Sequence, residues 1–206
     1  TRFLNDRLTL NGALYYIDWT NQQVNITVEI PTNCSEPPGP TDPLRNCILQ
    51  TNNIVDNVGK SSVYGVELEA NWFATDNLSF TLAYGMAKSK LEGFSDPTLA
   101  ELRCSAECWE TTTPGEISPL TDNALALRAQ LGDVDGNQSP RAPEHSLNIG
   151  GAYTRPFGSH MEWFLRSDVT YETKQYATVA NLTYTDEPLI WNAWTGLRSD
   201  NWTLSF

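Results

Sequence analysis

The sequence predicts an all-β fold: an antiparallel up-and-down segment of a transmembrane β-barrel with about seven strands. Three observations carry that prediction. Apolar residues recur at every second position over long stretches. The connections between those stretches alternate between short and long. Aromatic residues gather toward the ends of the stretches.

Taken in order, 7-RLTLNGALYYIDWTNQQVNITVE-29 is rich in β-branched and aromatic residues and reads as one long strand. A Pro-rich loop, 31-PTNCSEPPGPTDP-43, follows, and a β-like return through 47–59 leads into 62-SVYGVELEANWF-73. In that strand Tyr64, Val66, Leu68, Ala70 and Trp72 share one face and Gly65, Glu67, Glu69 and Asn71 the other. The turn 74-ATDN-77 feeds 77-NLSFTLAYGMAKSK-90. There Leu78, Phe80, Leu82, Tyr84 and Met86 alternate with Ser79, Thr81, Ala83, Gly85 and Ala87.

A long connection runs from about Glu92 to Pro143, with 120-LTDNALALRAQL-131 as a short helix inside it. Strand 145–154 places Leu147, Ile149, Gly151 and Tyr153 on one face. After the turn 155-RPFGSH-160, strand 161–172 opposes Met161, Trp163, Leu165, Val169 and Tyr171 to Glu162, Arg166, Asp168 and Glu172. A moderate connection near 175–187, strand 188–198, the turn 199–201 and a strand beginning at Trp202 complete the chain.

Alternation alone fits a soluble β-sandwich as well as a barrel. The sorting of connections favours the barrel. Strands alternate direction, so the short turns at 74–77, 155–160 and 199–201 fall on one side, and the long connections near 31–58, 92–143 and 175–187 on the other. Outer-membrane barrels have short periplasmic turns and long extracellular loops. Trp72, Phe73, Trp163 and Trp202 lie beside the short turns, and Tyr16, Tyr84 and Tyr171 farther along their strands, as two interfacial girdles require. The polar face, with Glu67, Glu69, Asn71, Glu162, Arg166, Asp168, Glu172 and Asn192, then lines a lumen.

Composition narrows the partners. The 206 residues carry 25 Asp+Glu against 13 Lys+Arg, a formal net charge of -12. This argues against nucleic acid, which needs a basic face, and against a polybasic membrane anchor. With a mean hydropathy of -0.39, no run is apolar enough for a membrane helix, a criterion that does not bear on β-barrels. The chain lacks an initiator methionine and a signal peptide and stops in a nascent strand, so it is expected to be a piece of a longer protein.

Cys34 and Cys47 lie in one loop and Cys104 and Cys108 in another, a pattern that predicts two local disulfides in an oxidising compartment. Zinc is the rival, but the spacings are not Cys-x2-Cys knuckles. No catalytic, cofactor-binding or metal-binding set is predicted. Asp133, Asp135, Asn137 and Glu144 half-match a calcium loop, but Gln138 stands where the turn needs glycine. His145 and His160 belong to no triad, and Glu67/Glu69 sit on one strand face rather than across a substrate. The chain is therefore not read as an enzyme.

Three blocks resemble the C-terminal barrel portion of TonB-dependent outer-membrane receptors. They are 63-VYGVELEANWFATDNLSFTLAYGMAKSK-90, similar to the family's Gly-x-Glu-x-Glu strand, turn and following strand; 139-SPRAPEHSLNIGGAYT-154; and 189-LIWNAWTGLRSDNWTLSF-206. The opening 7–23 is similar in character. The resemblance implies a barrel of about 22 strands enclosing a plug, residence in the lipid bilayer of a Gram-negative outer membrane, and energy from the inner-membrane TonB complex. It implies active import of a scarce nutrient, a ferric siderophore or similar metal complex foremost, or an oligosaccharide. Ligand capture would fall to 31–58, 92–143 and 175–187. On this reading 1–206 is a partial barrel domain, with the plug, the TonB box and the last strands outside it. The rival readings are a secreted β-sandwich carbohydrate-binding module and a passive porin.

Overall fold

The computed structural model describes residues 1–32, 48–109 and 120–206. Eight strands make one antiparallel sheet in sequential order: β1 (Arg2–Phe3), β2 (Leu8–Thr32), β3 (Ile48–Phe73), β4 (Leu78–Glu92), β5 (His145–Phe157), β6 (Met161–Glu172), β7 (Leu189–Ser199) and β8 (Thr203–Ser205). Each strand pairs with its neighbours in sequence, the up-and-down order expected of a barrel wall, and the sheet is not closed on itself. The strand added to the predicted set is β1. Leu4, Asn5 and Asp6 take left-handed φ values of 53°, 55° and 65°, which turn the chain so that Arg2 and Phe3 pair with Thr9 and Leu8. Two residues are too few to carry a periodic signal.

The register assembles the two faces across the sheet. Tyr16, Tyr64 and Lys88 lie in line, as do Leu10, Ala70, Leu82, Ile149, Val169 and Trp191. Directly opposed residues share a face, so the apolar stripes of separate strands join into one continuous surface. Among the described residues nothing covers it: Leu14 is 82 % exposed and Trp191 69 %. A β-sandwich would bury this face against a second sheet. Here the exposed apolar face has the character of a barrel's lipid-facing surface. Trp72 stacks on Phe80 and Tyr153 meets Trp163 edge-on beside the short turns, while Tyr16, Tyr64, Tyr84 and Tyr171 lie nearer the long-connection end.

The β2–β3 ribbon pairs from Leu8↔Trp72 to Thr32↔Ile48. With 25 and 26 residues, β2 and β3 are about twice as long as β6 (12 residues), and far longer than the roughly 9–11 residues a bilayer needs. Residues 48–58, read from the sequence as a β-like return within a long connection, continue strand β3 beyond the membrane-spanning band.

The β4–β5 connection departs most from expectation. It holds α1 (Pro97–Arg103), a 3-10 turn (Ala106–Trp109) and α2 (Asp122–Leu131). The second helix matches the predicted 120–131; the first was not predicted. Asp96 caps α1, accepting from the Thr98 and Leu99 N–H groups, and Pro97 opens it. Thr121 caps α2 through Ala124 N–H. Arg128 reaches Glu101 at 3.0 Å, and Arg103 donates to the Leu131 carbonyl, tying the two helices together. A buried cluster of Leu91, Leu99, Val134 and Val179, with Phe94 and Ala180 against it, joins α1 to the end of β4 and to the segment after α2.

Candidate functional site: the lumenal wall and its cap

The second sheet face is built from the alternate residues. Adjacent positions run Asn71, Thr81, Gly150, Asp168, Asn192 in one row and Glu67, Gly85, Ser146, Glu172 in another. All eight polar residues predicted to line a lumen fall on this face. Small residues on β4 and β5 leave a trough between polar walls. Ser79, Thr81, Asn148, Arg166, Asp168 and Trp194 line a hollow of about 430 Å³. A second hollow has Glu67, Glu69 and Glu172 around Ala83, Gly85 and Ser146.

Several wall groups are satisfied in place. Asn192 Nδ2 donates to Asp168 at 3.0 Å, Asn148 Nδ2 to Thr170 at 2.8 Å, and Arg198 to Glu162. Glu67, Glu69 and Arg166 make no side-chain hydrogen bond or ion pair among the described residues. Charges held on a wall without partners are available to whatever occupies the lumen. Gly65 has a local reason: a Cβ there would clash with the Tyr15 ring, which covers the glycine from the paired position, and with the Met86 carbonyl oxygen.

The β4–β5 connection folds over the lumenal face rather than away from it. Ser61, Ser89 and Leu91 are on that face at the upper ends of β3 and β4. Ser139 N–H donates to Ser89 Oγ at 2.9 Å, and the Ser61 and Ser139 hydroxyls lie 3.3 Å apart. The cap is thus sewn to the wall by buried hydroxyls and by the Leu91 side chain.

The β6–β7 connection, residues 173–188, packs on this cap. Near it, Lys174 Nζ lies 5.2 Å from the centroids of both Tyr176 and Tyr184, whose rings meet edge-on at 6.2 Å. Hydrogen bonding with the Tyr176 side chain holds the Lys174 ammonium above the usual lysine range, with lesser attraction from Tyr184 and Glu187. Edge-on phenols and an ammonium held over both rings form a contact surface suited to a flat or anionic ligand.

Other predicted positions find their places. Cys104 and Cys108 are disulfide-bonded with Cα atoms 5.7 Å apart, between α1 and the 3-10 turn. Cys34 and Cys47 lie outside the described residues. The half-matched calcium loop does not gather its ligands: Asp133 accepts from Asp135 N–H, and Asp135 accepts from Gly93 N–H at 2.6 Å. These carboxylates organise the turn that brings Ser95 and Asp133 together. His145 shares a 2.9 Å hydrogen bond with the Tyr84 hydroxyl on the outer face. Sequence reasoning missed the Lys174–Tyr176–Tyr184 group. The signal was present as 174-KQYATVANLTY-184, but only the pairing of Tyr176 with Tyr184 brings the rings together.

A single-layer meander with a lipid-facing stripe, a polar lumen face, and connections sorted by length defines a segment of an outer-membrane-type barrel. Comparison with known families goes further: the model of the TonB dependent receptor-like β-barrel matches residues 1–206, and the chain belongs to that family. Among solved structures it is similar to the siderophore receptor PiuA from Acinetobacter baumannii, at 20 % identity and a TM-score of 0.52, covering 97 % of this chain and 20 % of that one. BauA, the ferric preacinetobactin receptor from the same organism, aligns at 9 % identity and a TM-score of 0.49, over 93 % of this chain and 21 % of that one. The chain therefore spans about a fifth of the length of these receptors. A search of curated proteins found no match.

Proposed function

We propose that this chain supplies part of the wall and part of the extracellular cap of an outer-membrane transporter that imports a scarce nutrient with energy from the TonB complex. A ferric siderophore or similar metal complex is the first candidate ligand, and an oligosaccharide the second. The observation that carries this reading is the two-faced wall with a folded cap seated on its polar side. A passive pore needs an open lumen, whereas a cap resting on Ser61, Ser89 and Leu91 suits capture followed by driven passage. The family supports the receptor role, and the likeness to PiuA, a siderophore receptor, supports the siderophore class.

Within this reading, Lys174, Tyr176 and Tyr184 meet the ligand at the outer side. Glu67, Glu69 and Arg166 face the lumen contents, whether plug or passing ligand. The decisive test is uptake by a strain deleted for the full-length gene, given defined ferric siderophores or oligosaccharides as sole iron or carbon source. Growth that depends on the gene and on an intact TonB system identifies the ligand. Equal uptake in a strain without TonB would reject active transport in favour of a pore.

A further inference from the structure

The β4–β5 and β6–β7 connections leave the wall at different strands, yet they share one core. Val179, in the second connection, is 4 % exposed because it packs with Leu91, Leu99 and Val134 of β4 and the first connection. Around that contact the polar groups are matched one to one. Asn181 Oδ1 accepts from Gln138 N–H at 2.8 Å, and Asn181 Nδ2 donates to the Gln138 carbonyl at 2.9 Å. One side-chain amide thus pairs with both backbone groups of a residue in the other connection, much as a neighbouring strand would. Asn137 Nδ2 donates to the Val179 carbonyl at 2.9 Å, and Arg141 N–H to the Tyr176 carbonyl at 2.8 Å.

Backbone conformation fixes this latch. Asn181 and Arg141 have φ of 54° and 58°, a left-handed region that asparagine tolerates better than most residues. At Asn181 the backbone turns back, and Nδ2 also donates to the Thr178 carbonyl at 3.1 Å, closing the arm on itself. Separating the two connections exposes Val179 and leaves four cross-connection hydrogen bonds unmade, the two at Asn181 with those from Asn137 and Arg141. Buried apolar contacts and paired backbone groups of this kind open cooperatively.

We propose that the described parts of these two connections form a single gating body, latched by Asn181 and held to the wall at Ser89 and Leu91, which opens and closes the lumenal mouth as one unit rather than as two independent loops. The coupling rests on the contacts alone; its use as a gate rests on the transport reading above. The test separates the two. In the full-length receptor in detergent, hydrogen exchange is followed by peptide for 94–109, 122–141 and 173–188 in the wild type, Asn181→Leu and Asn137→Ala. Loss of both Asn181 bonds should raise exchange in α1 and α2 by roughly tenfold, as well as in 173–188. Asn137→Ala should reciprocally raise it in 173–188 by a smaller factor. Retained heat-modifiable migration on gels shows that the barrel itself is intact. If Asn181→Leu fails to assemble, Asn181→Asp, which keeps the acceptor and loses the donor, should give a partial rise in both connections. A rise confined to the mutated connection, with the helices unchanged, would overturn the coupling. Coupled exchange without altered ligand uptake would leave the single body standing and remove its gating role.

Discussion

Leu82 and Leu91 lie in the same strand and use opposite solvents. Leu82 faces outward among Ala70 and Ile149 and is 37 % exposed, whereas Leu91 faces the lumen side and is 0 % exposed under the cap. The wall has an apolar surface but no core of its own on that side. The cap has a small conventional core in which every member comes from a different segment. Strand β4 thus passes from a lipid-facing stretch to a water-excluding protein interior, and its outward positions change from Leu78, Phe80, Leu82, Tyr84 and Met86 to Lys88, Lys90 and Glu92. What changes is which face carries the apolar residue.

Substitutions can break this contrast. The largest effect is expected at Leu91→Ala, which removes a fully buried side chain at a cost of about 2–5 kcal/mol. Limited proteolysis should then cut within the cap while the sheet remains folded. Next, Leu82→Lys places a charge on the lipid face at a cost of about 2–4 kcal/mol near mid-membrane. Surface abundance of the receptor should fall sharply, and Thr81→Lys, one residue away on the lumen face, should not have that effect. The reverse order would return the strand to a water-soluble protein.

Gly65→Ala should displace the Tyr15 ring and destabilise the wall by about 1–3 kcal/mol. A lowered temperature of gel-mobility conversion would show it, with partial recovery in the Tyr15→Ala background. Least of all, Asp96→Ala should loosen only α1, by about 0.5–2 kcal/mol through loss of its cap. Hydrogen exchange limited to 97–103 checks this, and spread into the sheet would mean that cap and wall are less separate than the burial pattern implies.

The wall was readable because a strand's period of two is a local property. Tyr64 through Trp72 announce their shared face without reference to any other strand. The cap was only half readable. Helix α2 has Thr121 and a run of good helix formers, and it was predicted. Helix α1 is short, its Asp96-Pro97 start sits in turn-like sequence, and its apolar Leu99 and Ala100 are too few for a periodic signal. The β character of 47–59 was legible despite Asn52, Asn53, Asp56 and Asn57, but only pairing with β2 shows that it runs unbroken into the rest of β3. The Asp133–Asp135 segment has carboxylates spaced as in a metal loop, but Gln138 in place of glycine argues against one, and the two carboxylates accept from backbone N–H groups.

By itself, the sequence determined which residues could face lipid and which could face a lumen, because alternation and the length of connections are encoded along the chain. Only the tertiary structure decided that the connections fold inward over the polar face, that Val179 completes a core begun by Leu91, and that Asn181 pairs with Gln138. Those contacts join residues far apart in sequence, and their stability comes from excluding water at a place that no local pattern specifies.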